Sequence, residues 1–123
     1  MNEKYDLEER LLDYVVKIIR FTEKMIKTDA GKHVGGQLLR SGSSPMAHHG
    51  EAQSAESTKD FIHKMRVALK ELREASRWLK VSQRVPLTKS LSDNQALLQE
   101  TDELIRIFYS SIRTAQMRKT SFQ

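Results

Sequence analysis

The chain has 123 residues and no cysteine, so it can form neither a disulfide framework nor a thiolate metal site, and an intracellular location is expected. Proline occurs only twice, and no stretch shows the sustained alternation of β-branched residues that is typical of strands. No segment approaches the roughly 20 apolar residues that span a bilayer, and the amino-terminal residues lack the apolar stretch of a signal peptide. These absences favour one all-α domain over residues 1–123, cytoplasmic and not associated with a membrane.

Helical periodicity is abundant in the sequence. Apolar or small residues recur at alternating steps of four and three in three segments, the spacing of a seam in a left-handed helix bundle. The seam residues are Leu7, Leu11, Tyr14, Ile18, Phe21 and Met25, then Phe61, Met65, Ala68, Leu72, Ala75 and Leu79, and finally Leu97, Thr101, Leu104, Phe108, Ile112 and Ala115. The candidate capping residues are Asp6 with Glu9, Ser57, Ser90 and Ser92. Helices are therefore predicted over residues 7–27, 58–83 and 90–117.

The first helix carries a second apolar row beside its seam. The row consists of Leu12, Val15, Ile19 and Ile26. It widens the apolar face beyond what one neighbouring helix can cover. This width predicts burial against several helices, including those of another subunit, and hence a homo-oligomer.

The segment SGSSPMAHHGEAQSAES, residues 41–57, interrupts the amphipathic pattern. Gly42 is suited to end a helix, and Ser44 followed by Pro45 fits the start of a new one, so the predicted second helix, residues 30–56, is expected to break or kink between Gly42 and Pro45. Small residues at steps of four and three share one face and predict a seam of close helix approach: Ser43, Ala47, Gly50, Ser54 and Ser57. The alternative is a flexible linker, which needs no such period.

Basic residues form a single-sign row on the third helix, following His63 at steps of three and four. The row comprises Arg66, Lys70, Arg73, Arg77, Lys80 and Arg84 and is called the α3 basic stripe below. Lys70 is rotated by about 200° from Ala68 at the seam centre, so the stripe is expected to face solvent. With a net charge of +5, the stripe predicts phosphate contacts with nucleic acid. The alternative is an ordinary solvated face, and no interleaved aromatic residues support base recognition.

Charged residues beside the seams of helices 2 and 3 predict a partly buried ion-pair network that fixes helix register. They are Arg40, Glu51, Glu71 and Glu74. The alternative is a set of independent solvated charges, because exposed pairs contribute little.

A metal or catalytic site has little support. His48 and His49 point about 100° apart on a helix, and His48-x-x-Glu51 reverses the Glu-x-x-His spacing of di-metal bundles and occurs once. The many serines lack a GxSxG turn, and no phosphate-binding glycine loop precedes a helix. We therefore expect no metal, no cofactor and no catalytic residues.

The sequence of residues 30–80 resembles a known family. It reads AGKHVGGQLLRSGSSPMAHHGEAQSAESTKDFIHKMRVALKELREASRWLK and resembles the signature of the 23S rRNA intervening-sequence proteins, also called ribosomal protein S23-like. The resemblance implies an up-and-down four-helix bundle that forms a homopentamer and has no established catalytic activity. It also implies structural signature roles for Arg40, Gly42, Glu51, Ser57, Asp60, Phe61, Glu71 and Glu74. Relatives often carry Asn and then an aromatic residue where this chain has His48 and His49.

Together, the residues and the resemblance predict a non-enzymatic, homo-oligomeric bundle that binds structured RNA through its basic helix faces. A protein-interaction scaffold without a nucleic-acid role is the alternative from another class. A metal-binding helix-bundle enzyme is a further alternative that elemental analysis would test.

Overall fold

Four helices joined by short links make up the fold in the computed structural model, which describes the backbone of residues 3–121 and the side chains of residues 7–118. The helices are α1 (Glu3–Glu23), α2 (Asp29–Gln53), α3 (Thr58–Arg84) and α4 (Leu91–Ser121). Within this part of the chain, each helix packs against the next, α1 also packs against α4, and α1 and α3 lie diagonally across the bundle. The described residues contain no strand. The predicted all-α four-helix bundle is confirmed.

The core is built from the predicted seams. Every seam residue of α1 from Leu11 to Met25 is buried, as are those of α3 from Met65 onward and all those of α4. At the junction of α1 and α4, the Tyr14 hydroxyl lies 2.6 Å from Thr101 Oγ1. Burial raises the pKa of Tyr14, so this hydroxyl stays neutral inside the bundle.

An ion-pair cluster joins α1 to α4 at the edge of that junction. Arg10 donates from Nε and Nη2 to both carboxylate oxygens of Glu100, at 2.8 and 2.7 Å, and from Nη2 to Glu103 at 2.6 Å. The Glu100 hydrogen bond raises the pKa of Arg10, and the reciprocal bond lowers the pKa of Glu100. This bidentate geometry holds the first and last helices in register.

The bounds of α1 differ from those predicted. The helix begins at Glu3 rather than at residue 7, so the expected start at Asp6 is wrong; the side chain of Asp6 lies outside the described residues. The helix ends at Glu23, although Met25 beyond it is still buried. The Ile26 amide donates to the Leu87 carbonyl at 2.9 Å, so the link between α1 and α2 leaves the helical path to pair with the α3–α4 connection.

The predicted break in α2 is also wrong, because the helix runs without interruption through Gly42 and Pro45. Pro45 removes the amide that would donate to the Ser41 carbonyl, and the helix continues without that one bond. The hydroxyl groups before it bond to other carbonyls of the preceding turn: Ser43 Oγ to Leu39 O at 2.6 Å and Ser44 Oγ to Arg40 O at 2.7 Å. The flexible-linker alternative fails for the same reason. A kink at Pro45 stays a prediction.

The buried face of α2 is not the predicted seam of small residues. Ala47, Gly50 and Ser54 are exposed, whereas the buried face includes Leu38, Gly42, Pro45, His49 and Ala52. A Cβ atom at Gly42 would lie 2.9 Å from Ile18 Cγ2, so the close contact with α1 occurs here. The small residue that brings the two helices together is therefore Gly42, not Ser43 or Ala47.

The caps of the last two helices follow the sequence more closely. Ser57 is the N-cap of α3, accepting from the Asp60 amide at 3.0 Å, and Ser90 Oγ accepts from the Asp93 amide at 3.4 Å just before α4. The carboxyl end of α4 lies at Ser121, beyond the predicted end at residue 117. These caps fix where α3 begins and therefore which of its faces turns outward.

Candidate nucleic-acid interface

The α3 basic stripe lies on the outer surface of the bundle. All six of its members are exposed, and so is His63 at its amino-terminal end. Ala68 and Leu72, on the opposite side of the same helix, are fully buried. The 3.6-residue period thus separates one apolar and one cationic face along about 27 Å between Arg66 and Arg84.

No member of the stripe has a carboxylate within 4 Å among residues 7–118. Lys64 differs: its Nζ lies 2.9 Å from Asp60 Oδ2, and this bond lowers the pKa of Asp60 and raises that of Lys64. The stripe therefore presents its positive charge to solvent uncompensated by local ion pairs.

The two glutamates beside the stripe are paired with α2. Arg40 donates from Nη1 to Glu71 at 2.8 Å and from Nη2 to Glu74. Trp78 Nε1 donates to Glu74 at 3.2 Å, and the rings of His33 and Trp78 are nearly perpendicular with centroids 5.9 Å apart. Since Arg40 occupies both carboxylates, it aligns α2 with α3 and leaves the neighbouring stripe cations unpaired.

The structure places Glu51 apart from this cluster. Its carboxylate lies 3.9 Å from His48 Nδ1 on the same helix and is mostly exposed. Of the four residues of the predicted network, Arg40, Glu71 and Glu74 come together across two helices. The Arg40 side chain is 48% exposed, so these pairs contribute modestly to stability.

The paired histidines point into different surroundings. His49 is buried, with its ring tilted against Phe108 at a centroid distance of 5.8 Å and its Nε2 3.2 Å from Gln53 Nε2. His48 is partly exposed next to Glu51. Across residues 7–118, no group of three or more His, Cys, Asp or Glu side chains is placed to hold a metal ion.

A groove of about 760 Å³ lies at the bundle end where α1 begins. Its floor includes His49, Phe61 and Met65, and α4 contributes a wall with Ser111 and Thr114. No carboxylate is among its described lining residues, so this lining lacks the acidic member of a Ser-His-Asp or Ser-His-Glu triad.

Other exposed basic residues lie outside the α3 basic stripe. The exposed row of Lys17, Arg20, Lys24 and Lys27, called the α1 basic row below, lies on α1 and on the link that follows it, and α1 is diagonal to α3. Exposed cations also occur on α4 at Arg106, Arg113 and Arg118; the side chain of Lys119 lies outside the described residues.

The fold and this surface define a four-helix bundle protein with a cationic outer face. The family model of the 23S rRNA-intervening sequence proteins matches residues 3–110, and the chain belongs to that family. A solved structure of a protein of unknown function from the S23 ribosomal protein family of Bacteroides thetaiotaomicron VPI-5482 is 28% identical, with a TM-score of 0.77 over 85% of this chain and 96% of that one. No curated protein matches the chain. None of the described helices is long and apolar enough to cross a membrane.

Proposed function

We propose that the chain is a non-enzymatic, homo-oligomeric bundle that binds structured RNA through phosphate contacts. The observation that carries the proposal is the α3 basic stripe: six exposed cations in one straight row, none with a carboxylate within 4 Å in the described part of the chain. Cations at intervals of roughly 5 Å along a rod suit the regularly spaced phosphates of a nucleic acid.

RNA is the polyanion that best agrees with the family. The family's name ties its members to intervening sequences of 23S rRNA. Phosphate contacts position a nucleic acid without reading its sequence, and the stripe itself contains no aromatic residue. Recognition by the stripe therefore rests on the path of the RNA backbone rather than on base identity.

Binding should depend steeply on salt. If about six phosphates are neutralised by each protomer, the affinity for a structured RNA should fall about 10³-fold between 50 and 200 mM monovalent salt. Filter binding with a labelled rRNA hairpin across a salt series measures this slope. A flat response, or no binding at the lowest salt concentration, would sink the proposal.

The oligomer would form through the outer face of α1. Val15 and Ile26 of the second apolar row are buried or partly buried within the protomer, but Leu12 and Ile19 are 43% and 41% exposed, and neighbouring Val16 is 47% exposed. These three side chains follow one another at steps of four and three, so they form one strip that another copy can cover. The family resemblance implies a five-fold assembly.

Placing a charge in this strip should dissociate the oligomer. Val16→Glu would bury a carboxylate without a partner in the proposed interface, so we expect the mass measured by light scattering to fall to that of the protomer. Val85→Glu, at an exposed site in the α3–α4 link, is the matched control and should keep the wild-type mass. A protomer mass for the unmodified chain would contradict the assembly.

The same apolar strip favours the second candidate function, a protein-interaction scaffold. In that case a different protein, rather than another copy, covers Leu12, Val16 and Ile19. A pull-down whose protein partner survives nuclease treatment and is lost with Val16→Glu would support the scaffold over RNA binding.

A further inference from the structure

Tyr109 is the one exposed Phe, Tyr or Trp side chain among residues 7–118, with 51% of its surface accessible. It lies on α4 between Arg106 and Arg113, which are also exposed. Neither arginine has a carboxylate within 4 Å in that part of the chain. An aromatic ring between two unpaired guanidinium groups is the combination found where bases stack and phosphates are neutralised.

The packing of α3 on α4 brings this trio beside the α3 basic stripe. Gln83 Nε2 donates to Gln95 Oε1 at 2.8 Å, and Asn94 Nδ2 donates to the Leu79 carbonyl at 2.9 Å, which fixes the antiparallel register. Tyr109 follows Gln95 by about 14 residues on α4. Because the two helices are antiparallel, Tyr109 lies level with the position about 14 residues before Gln83 on α3, which falls between Arg66 and Lys70.

Tyr109 also lies on the side of α4 that faces α3. Fourteen residues are close to four helical turns, so Tyr109 is rotated only about 40° from Gln95, whose side chain bonds to α3. Axes of packed helices are 8–10 Å apart, so a strand lying on the stripe passes within reach of the ring. Asp102 lies on the same side of α4 two turns before Tyr109, and its carboxylate repels phosphates. This arrangement favours an RNA backbone that runs from the ring toward Arg113, away from Asp102.

We infer that Tyr109 is a stacking platform for an unpaired base of an RNA whose backbone lies on the α3 basic stripe, with Arg106 and Arg113 holding the adjacent phosphates. This inference rests on the proposed function and narrows its ligand to RNA with a loop, bulge or single-stranded end beside a stem. An uninterrupted duplex keeps its bases stacked on one another and has none to offer the ring.

The test compares two RNAs that share one stem. One is a hairpin with an unpaired loop carrying 2-aminopurine, and the other is the blunt duplex of the same stem. Tyr109→Ala should weaken binding of the hairpin by about 5- to 100-fold, remove the stacking-induced fluorescence quenching of 2-aminopurine, and leave duplex binding unchanged. Tyr109→Phe is the matched control and should retain wild-type affinity, since stacking uses the ring face and not the hydroxyl.

The outcomes separate this inference from the proposed function. If Tyr109→Ala binds the hairpin as tightly as the wild type does, while charge reversal in the stripe still abolishes binding, the stacking platform is wrong and the phosphate-binding stripe stands. Equal weakening for hairpin and duplex would also overturn stacking, because a base-specific contact must distinguish them. If the wild type binds neither RNA at low salt, the proposed function itself fails.

Discussion

Replacing Arg66, Lys70, Arg73 and Arg77 with glutamate is expected to abolish RNA binding without unfolding the bundle. Each of these side chains is exposed, so its replacement leaves the core contacts of α3 intact. Four attractive phosphate contacts become four repulsive ones, so affinity at 50 mM salt should fall by at least about 10³-fold, with loss of the salt dependence. Filter binding measures the affinity, and circular dichroism with thermal melting checks the fold.

The α1 basic row supplies a matched control for this variant. Glutamates at Lys17, Arg20, Lys24 and Lys27 change the net charge by the same amount, but on α1 and the link that follows it rather than on α3. If the stripe is the binding surface, this control should lose far less affinity. Equal losses in the two variants would mean that net charge, not the stripe, governs binding, and full binding by the α3 variant would reduce the stripe to a solvated face.

The stripe and the seams could be predicted because both depend on a single helix. A 3.6-residue period places Ala68 inside and Lys70 outside whatever the neighbouring helices do, provided that the helix forms. The Ser57 cap could be predicted for the same reason, because its hydroxyl accepts from the Asp60 amide only three residues away.

The bounds of α1 and the phase of α2 depend on contacts far apart in sequence. The apolar period continues through Met25, but the chain leaves the helix because Ile26 pairs with Leu87, more than 60 residues away. In α2, proline and glycine carry strong local signals for a helix break, yet the packing of Gly42 on Ile18 favours a continuous helix. Tertiary contacts outweighed local propensity at both places.

The candidate base platform was missed for a related reason. Arg106 and Tyr109 lie some 40 residues after Arg66 and Lys70, and only the antiparallel register set by Gln83 and Gln95 places them side by side. A search for aromatic residues within the stripe finds none, because the ring is contributed by the neighbouring helix. The sequence signal for this site was the spacing of Arg106, Tyr109 and Arg113, which are three and then four residues apart and so share one face of α4.

The second large effect is expected from a single methyl group at Gly31, near the start of α2. A Cβ atom there would overlap the backbone carbonyl oxygen of Ile26. That carbonyl has little freedom to move, since the Ile26 amide is bonded to Leu87 and the Gly31 amide donates to the Thr28 cap at 3.1 Å. Gly31→Ala should therefore lower the free energy of unfolding by about 1–3 kcal/mol, measured by urea denaturation at fixed protein concentration.

Gly36→Ala is the control that separates this clash from a general effect of removing glycine. Gly36 is exposed in the same helix, and a Cβ atom there meets nothing within 4 Å. Alanine in a helix interior costs less backbone entropy than glycine, so this variant should gain about 0.5–1 kcal/mol. No described glycine has a positive φ, so glycine is required at position 31 because there is no space for a Cβ atom, and not because the backbone is left-handed. If Gly31→Ala were as stable as Gly36→Ala, the Ile26 carbonyl would be free to move, and the pairing with Leu87 would not determine where α1 ends.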